Sequence, residues 1–173
     1  MSGLVLRAAT TPTEHARLSE LAHAIWHEHY PGIISVAQID YMLAHGYSAA
    51  TLAAEQDAGT RFVLAYLENT PIGLAATTPV GPEAWLDKLY VHACARGEGV
   101  ARALCQDAMG FARCSNARQL RLRVNRDNQQ AIAAYERLGF VIDTQDIKDI
   151  GNGYVMDDYL MSTALQLPRA GTG

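Results

Sequence analysis

The sequence is poor in the features that mark exported, membrane-spanning or nucleic-acid-binding proteins. Its 173 residues include only three cysteines. These have no metal-ligand spacing, so we interpret them as free thiols in the reducing cytoplasm. No segment approaches the roughly 18 consecutive apolar residues of a membrane span, and the amino terminus lacks the pattern of a signal peptide. The formal net charge of −4 argues against general nucleic-acid binding.

The overall composition is that of an ordinary globular protein. Hydrophobic residues make up 49% and charged residues 18%, which is enough apolar surface for a core and too little charge for disorder. We therefore predict a single domain over residues 1–173, with a flexible tail at 167–173.

Capping signals and hydrophobic periodicity predict an α/β protein. The segments "TPTE" (11–14) and "SVAQ" (35–38) have the residues of capping boxes, which begin helices. The segment "LRLRV" (120–124) alternates apolar residues with arginines, as a strand with one buried face does. The predicted helices span 11–29, 35–46, 48–56, 97–114 and 128–140, and the predicted strands span 4–8, 61–67, 72–78, 84–91, 120–124, 140–143 and 154–165.

The stretch "CARGEGVARAL" (94–104) places two glycines between a predicted strand and a predicted helix. A helix amino terminus presents unpaired N–H groups and the positive end of the helix dipole, so a bare backbone there can hold an anion. The alternative is a helix cap or tight turn. The stretch lacks the lysine and Ser/Thr of a P-loop and the third glycine of the dinucleotide fingerprint, and by itself it leaves both interpretations open.

Charge is unevenly distributed along the chain. Residues 96–126 contain seven arginines and only two acids, whereas residues 136–163 contain six acids and only two basic residues. The first region could suit a polyanion and the second a cation, and the alternative for each is a solvated surface. For Arg121 and Arg123 we favour the solvated surface.

Two longer segments, "LDKLYVHACARGEGVARAL" and "LRLRVNRDNQQAIAAYERLGF", together resemble the GNAT superfamily of acetyl-CoA-dependent N-acetyltransferases. The first fills that family's Gln/Arg-x-x-Gly-x-Gly/Ala motif with Arg96, Gly99 and Ala101. The second fills its Asn-x-x-Ala-x-x-x-Tyr-x-x-x-Gly-Phe segment with Asn128, Ala131, Tyr135, Gly139 and Phe140. The resemblance implies a mixed, mostly antiparallel sheet of about seven strands with a splayed strand pair and helices on both faces.

The resemblance also implies acetyl-CoA as co-substrate, no metal, and direct attack of a primary amine on the thioester. Backbone groups of 96–102 would hold the pyrophosphate, residues 89–91 would follow the pantetheine arm, and Asn128 would bond to it. Tyr135 would protonate the departing thiolate, with core packing as its alternative role. The implied cofactor residues are Leu89, Tyr90, Val91, Arg96, Gly97, Glu98, Gly99, Val100, Ala101, Arg102, Asn128 and Tyr135.

The acceptor side is less defined. Asp87 is the candidate base, acting directly or through water, although it could equally be an edge charge. Trp26, Tyr30 and Tyr154, together with Asp87, are the candidate acceptor-binding residues. We interpret His92 as a turn residue. His23, His27 and His29 invite a metal interpretation, but no further ligand is evident and no metal is expected.

Acids at 143–158 favour a small, cationic, polyamine-like acceptor. Acetylation of a protein amino terminus or an amino acid, and a non-catalytic CoA-binding module, are the alternatives. The expected partner is a small-molecule amine, with no nucleic acid and no membrane, and a homodimer is left open.

Overall fold

The computed structural model describes residues 3–166, so the predicted tail at 167–173 lies outside the described residues. None of the helices within 3–166 is long and apolar enough to cross a membrane. The elements in chain order are β1 (Leu4–Ala8), α1 (Pro12–His29), α2 (Val36–Gly46), α3 (Ala49–Asp57), β2 (Arg61–Leu67), β3 (Thr70–Val80), β4 (Glu83–Val91), a 3-10 turn (Ala93–Ala95), α4 (Val100–Cys114), β5 (Gln119–Asn125), α5 (Gln129–Arg137), β6 (Val141–Gly151) and β7 (Tyr154–Ala164).

The predicted capping box at the start of α1 is confirmed. Thr11 Oγ1 accepts from the Glu14 backbone N–H at 3.2 Å, and the Glu14 carboxylate accepts from the Thr11 N–H at 2.9 Å. Pro12 occupies the first turn, where its missing N–H costs nothing. Ser35 and Ser48 cap α2 and α3 with their side-chain oxygens.

The seven strands form one sheet in the order β1-β2-β3-β4-β5-β7-β6, which confirms the expected fold class. β4 and β5 are the parallel pair, whereas β5 and β6 each run antiparallel to β7. The register of the parallel pair covers only 83–85 against 119–121, although the two strands have nine and seven residues. This short register fits the splayed pair that the resemblance implies.

Two compact units are present among the described residues, and the single domain expected over 1–173 stays a prediction. Residues 3–76 and 88–105 form the first unit, and 77–87 with 106–166 form the second. In the first unit, the apolar stripes of α1, α2 and α3 pack with inward residues of β2 and β3, because neither surface is stable in water alone. Its largest fully buried side chains include Leu18, Ile25, Ile39, Leu43, Leu52, Phe62, Leu64 and Leu74.

In the second unit, the predicted alternation of β5 is confirmed, whereas the predicted length of β6 is wrong. On β5, Leu120, Leu122 and Val124 are buried and alternate with half-buried arginines, as predicted. The strand predicted at 140–143 is too short, because β6 continues to Gly151. This strand lies at the sheet edge and is exposed along nearly its whole length, so its sequence carries no period-two pattern to detect.

Candidate functional site

The glycine turn, Arg96–Gly99, leads directly into α4. Gly97 and Gly99 have φ angles of +80° and +79°, which L side chains rarely adopt. A Cβ at either position would meet no heavy atom within 4 Å. The glycines therefore serve the backbone conformation and leave open space beside it. The first N–H groups of α4 have no partner within the helix itself, so the turn can accommodate an anion.

Packing and one side-chain bond hold this turn in place. Arg96 Nε donates to the Val91 carbonyl at 3.2 Å, which ties the turn to the end of β4. Val100 and Leu104 are buried at the start of α4. A Cβ at Gly73 on β3 would lie 3.1 Å from Leu104 Cδ1 and 3.3 Å from the Tyr90 carbonyl. A side chain at 73 would therefore crowd both α4 and the end of β4, and glycine there leaves room for α4 against β3.

The end of β4 carries the residues expected to face the thioester. Leu89, Tyr90 and Val91 are half-buried. Asp87, the candidate base, is exposed, and its Oδ2 accepts a 2.6 Å hydrogen bond from Thr78 Oγ1. An exposed carboxylate held by a hydrogen bond has a fixed position and contact with solvent, which a base acting directly or through water requires.

An aromatic cluster, Trp26, Tyr30, Tyr47 and Tyr90, joins α1, the end of α2 and β4. Ring centroids lie 4.7 Å apart for Trp26–Tyr30, 5.5 Å for Trp26–Tyr90 and 5.9 Å for Trp26–Tyr47. The Tyr30 and Tyr90 hydroxyls are 3.4 Å apart. Two of the predicted acceptor walls, Trp26 and Tyr30, are thus brought together with a predicted cofactor residue. Both are at least nine-tenths buried, so they form the floor of any site here rather than an open wall.

Sequence reasoning missed Tyr47 and its neighbour Lys88. Burial raises the pKa of the Tyr47 phenol well above its usual range, so the hydroxyl stays neutral. The buried Lys88 Nζ lies 5.0 Å from the Tyr47 ring centroid and 3.2 Å from Glu55 Oε2. The ion pair and the ring face compensate a buried ammonium. A lysine in the strand "AWLDKLYV" carries no signal of burial, because its partners come from α2 and α3.

Helix α5 carries the second motif. Asn128 is 4% exposed and caps this helix, with its Oδ1 accepting from the Ala131 N–H at 3.4 Å. Tyr135 is half-buried and packs edge-to-face on Phe140 at 5.7 Å. Gly139, with φ +99°, follows the C-cap residue and ends the helix at Arg137, earlier than the predicted 140. Both motif residues therefore have structural contacts, whatever chemistry they also perform.

The favoured solvated surface for Arg121 and Arg123 is wrong. Arg121 Nη1 lies 3.2 Å from Glu83 Oε2, and its guanidinium stacks 4.8 Å from the Trp85 ring centroid. Arg123 donates to Asp146 at 2.6 Å and to Asp158 at 3.1 Å. Both arginines are half-buried and paired because β5 lies beside carboxylates from other strands.

The same pairing extends to the next arginine. Arg126 Nε lies 3.1 Å from Asp157 Oδ2. We call Arg123, Arg126, Asp146, Asp157 and Asp158 the ion-pair cluster. Burial raises the pKa of Asp158, and the Arg123 hydrogen bond opposes that shift. The basic and acidic regions of the sequence thus neutralise one another in part, instead of forming two separate charged surfaces.

The remaining candidate residues include His27 on α1 and Tyr154 on β7. His27 Nε2 lies 2.8 Å from Asp40 Oδ1, which links α1 to α2. No group of three or more His, Cys, Asp or Glu residues within 3–166 is arranged to hold a metal. Tyr154 is half-buried at the first position of β7. The connection between β6 and β7 just before it is a two-residue turn, Asn152–Gly153, with φ angles of +54° and +79°.

Comparisons with known proteins show what this chain is similar to. Residues 18–140 match the model of the acetyltransferase (GNAT) family. The peptidyl-lysine N-acetyltransferase YjaB of Escherichia coli is 31% identical over 100 residues, which are 53% of this chain and 65% of that protein. Its Salmonella typhimurium counterpart is 24% identical over 74% of this chain and 88% of that protein. The PaiA N-acetyltransferase of Thermoplasma acidophilum, solved with coenzyme A, has a TM-score of 0.81 at 23% identity and covers 95% of this chain and 99% of its own. The similarity to PaiA shows that the two proteins share a fold.

Proposed function

This chain belongs to the acetyltransferase (GNAT) family, and we propose that it transfers an acetyl group from acetyl-CoA to a primary amine. The glycine turn carries the proposal. Its two positive-φ glycines leave open space beside the first N–H groups of α4. A pyrophosphate suits such a place, because N–H donors and the positive end of the helix dipole both favour an anion.

The proposed reaction is a single displacement. The neutral amine attacks the thioester carbonyl, whose oxygen is polarised by backbone groups of Leu89–Val91, and the CoA thiolate departs. An aliphatic ammonium has a pKa near 10, so it must lose a proton before attack, and Asp87 takes that proton directly or through water. Tyr135 returns a proton to the sulfur. A thiol has a pKa of about 8.5, so the thiolate can depart even without a proton. Protonation by Tyr135 therefore contributes only moderately to the rate.

The acceptor we favour is the side-chain amine of a lysine in a peptide or protein. Two relatives bear the name peptidyl-lysine N-acetyltransferase. The small polyamine-like cation is the second candidate, and the acids at 143–158 support it. That support is weakened by the ion-pair cluster, since three of these acids already face arginines at 2.6–3.1 Å. A compensated carboxylate attracts a distant cation less than a bare one does.

The test is an acetyl-CoA turnover screen that reads free thiol. The acceptors are a lysine-containing peptide with a blocked amino terminus, the same peptide with its lysine acetylated, a triamine, a free amino acid and a peptide with an open amino terminus. We expect turnover with the unmodified lysine peptide and none with its acetylated match. Preference for the triamine would favour the second candidate. Binding of acetyl-CoA without turnover of any amine would point to a non-catalytic module.

We further propose the cytoplasm as the site of this reaction. The support is that Cys94, Cys105 and Cys114 are all free thiols, which a reducing compartment preserves.

A further inference from the structure

A cysteine–histidine pair lies between β4 and the glycine turn. Cys94 Sγ is 3.0 Å from His92 Nδ1, and the Cys94 backbone N–H donates to the same nitrogen at 3.2 Å. Because Nδ1 accepts from that backbone N–H, it holds a lone pair and the ring proton is on Nε2. Of the two atoms in the Sγ–Nδ1 contact only the thiol then carries a hydrogen, so the Sγ–H and the backbone N–H share the one Nδ1 lone pair. This is the arrangement of a nucleophile with its base.

The other two cysteines lack this arrangement. Cys105 is fully buried, and burial raises the pKa of its thiol to about 11. Cys114 is exposed at the end of α4, and within residues 3–166 no imidazole contact to it is found. Cys94 is also exposed. The chain thus has one thiol that combines access with a base, one with access only and one with neither.

We propose that Cys94 is a redox-sensitive modification site that forms a mixed disulfide with a low-molecular-weight disulfide. His92 Nδ1 takes the thiol proton, and the Cys94 thiolate attacks one sulfur of the incoming disulfide. The old S–S bond breaks, a Cys94–S–S–R bond forms, and the departing thiolate takes the proton from the imidazolium. Cys94 is oxidised as half of the incoming disulfide is reduced, and a reducing thiol reverses the step.

The position of Cys94 couples this modification to the glycine turn; this part of the inference rests on the proposed function. His92 caps the 3-10 turn that contains Cys94, and the next residue after that turn is Arg96, which bonds back to Val91. An adduct removes the thiol donor from His92 and adds bulk two residues before Arg96. We therefore expect modification at Cys94 to prevent acetyl-CoA from binding at the turn.

The first experiment compares reaction rates of the cysteines within one protein. The full chain is treated with oxidised glutathione at pH 7, and adducts are quantified by peptide mass spectrometry. An ordinary thiol is only a few per cent ionised at pH 7, so activation can raise the rate by at most about thirtyfold. We expect Cys94 to react roughly tenfold faster than Cys114. His92→Gln should lower the reaction rate of Cys94 to that of Cys114. Because Cys105 is buried, its remaining unmodified shows that the variant is folded. Equal rates in the wild type, or an unchanged Cys94 rate in folded His92→Gln, would overturn the proposal.

The second experiment measures the coupling. Acetyl-CoA should raise the Tm of the untreated protein and of glutathione-treated Cys94→Ser, but not of the treated wild type. An undiminished shift in fully modified wild type would contradict the coupling. Absence of any acetyl-CoA shift in the untreated protein would instead refute the proposed function and the coupling with it, whereas the rate comparison, which uses no CoA, would still decide whether Cys94 is activated.

Discussion

Arg123 on β5 donates from Nε to the buried carboxylate of Asp158 on β7 at 3.1 Å. The same guanidinium reaches Asp146 on β6 at 2.6 Å, so one arginine connects three strands. Asp158 is 2% exposed, and its burial raises its pKa. The pair therefore combines a desolvated acid with a charge that only partly compensates it.

This pair gives stability a defined pH dependence. A carboxyl group whose pKa is raised by folding binds its proton more tightly in the native state, so its contribution is present at low pH and is lost as pH rises through the native pKa. We expect the free energy of unfolding of the wild type to increase relative to that of Asp158→Asn as pH falls from about 7 to about 4. Urea unfolding of both proteins across this range measures the difference. A difference that does not change with pH would show that Asp158 is ionised to the same extent in both states.

The His27–Asp40 pair has a pH dependence in the same direction, at a different pH. The hydrogen bond to Asp40 raises the pKa of His27, so the pair stabilises the fold below the unfolded pKa near 6.5 and ceases to do so as pH rises through the native value. Both side chains are largely exposed, at 43% and 61%, so the contribution should be about 0.2–1 kcal/mol. A double-mutant cycle with His27→Gln and Asp40→Asn should show this coupling near pH 5 and none near pH 9. Equal coupling at both values would contradict it.

Two glycines should respond oppositely to alanine. At Gly73 the new Cβ would meet the Tyr90 backbone oxygen at 3.3 Å and Leu104 Cδ1 at 3.1 Å, so Gly73→Ala should destabilise the protein by about 1–3 kcal/mol. Gly110 lies inside α4 with nothing within 4 Å of an added Cβ, and Gly110→Ala should stabilise by about 0.5–1 kcal/mol. Chemical denaturation measures both. Two changes of the same sign would mean that packing against β3 does not limit residue 73.

The glycine turn can be separated from general backbone strain. Gly99 and Gly59 both have positive φ, +79° and +108°, and open space beside Cα. Gly99→Ala and Gly59→Ala should therefore lose similar stability, about 1 kcal/mol. Only the Gly99 variant should also weaken the Tm increase given by acetyl-CoA, and Gly99→Glu should abolish it. Unchanged CoA affinity in Gly99→Glu would refute the assignment of the turn.

Tyr135→Phe removes a hydroxyl while leaving the ring on Phe140. If Tyr135 protonates the thiolate, kcat should fall by roughly 10- to 100-fold with little change in acetyl-CoA affinity. Tyr66→Phe, which changes a hydroxyl on β2, is the matched control and should leave kcat unaltered. Full turnover in Tyr135→Phe, with chemistry limiting the rate, would leave Tyr135 a packing residue.

Local chemistry is what the sequence by itself determined. Thr11, Pro12 and Glu14 bond only to near neighbours, so their capping box could be recognised directly. The glycine turn and the alternation of β5 also consist of consecutive residues, so both could be recognised in the same way. The two sequence motifs were sufficient to identify the family.

Tertiary structure alone decided which distant residues meet. Edge strand β6 has no buried face to impose a pattern, and Lys88 is buried by partners that come from α2 and α3. From the sequence alone, the basic and acidic regions could be separate ligand-binding surfaces. In the structure β5 pairs with β7, and this pairing places Arg123 beside Asp158 and Arg126 beside Asp157. Strand order fixes such pairings, and it follows from packing of the whole sheet rather than from any local stretch of chain.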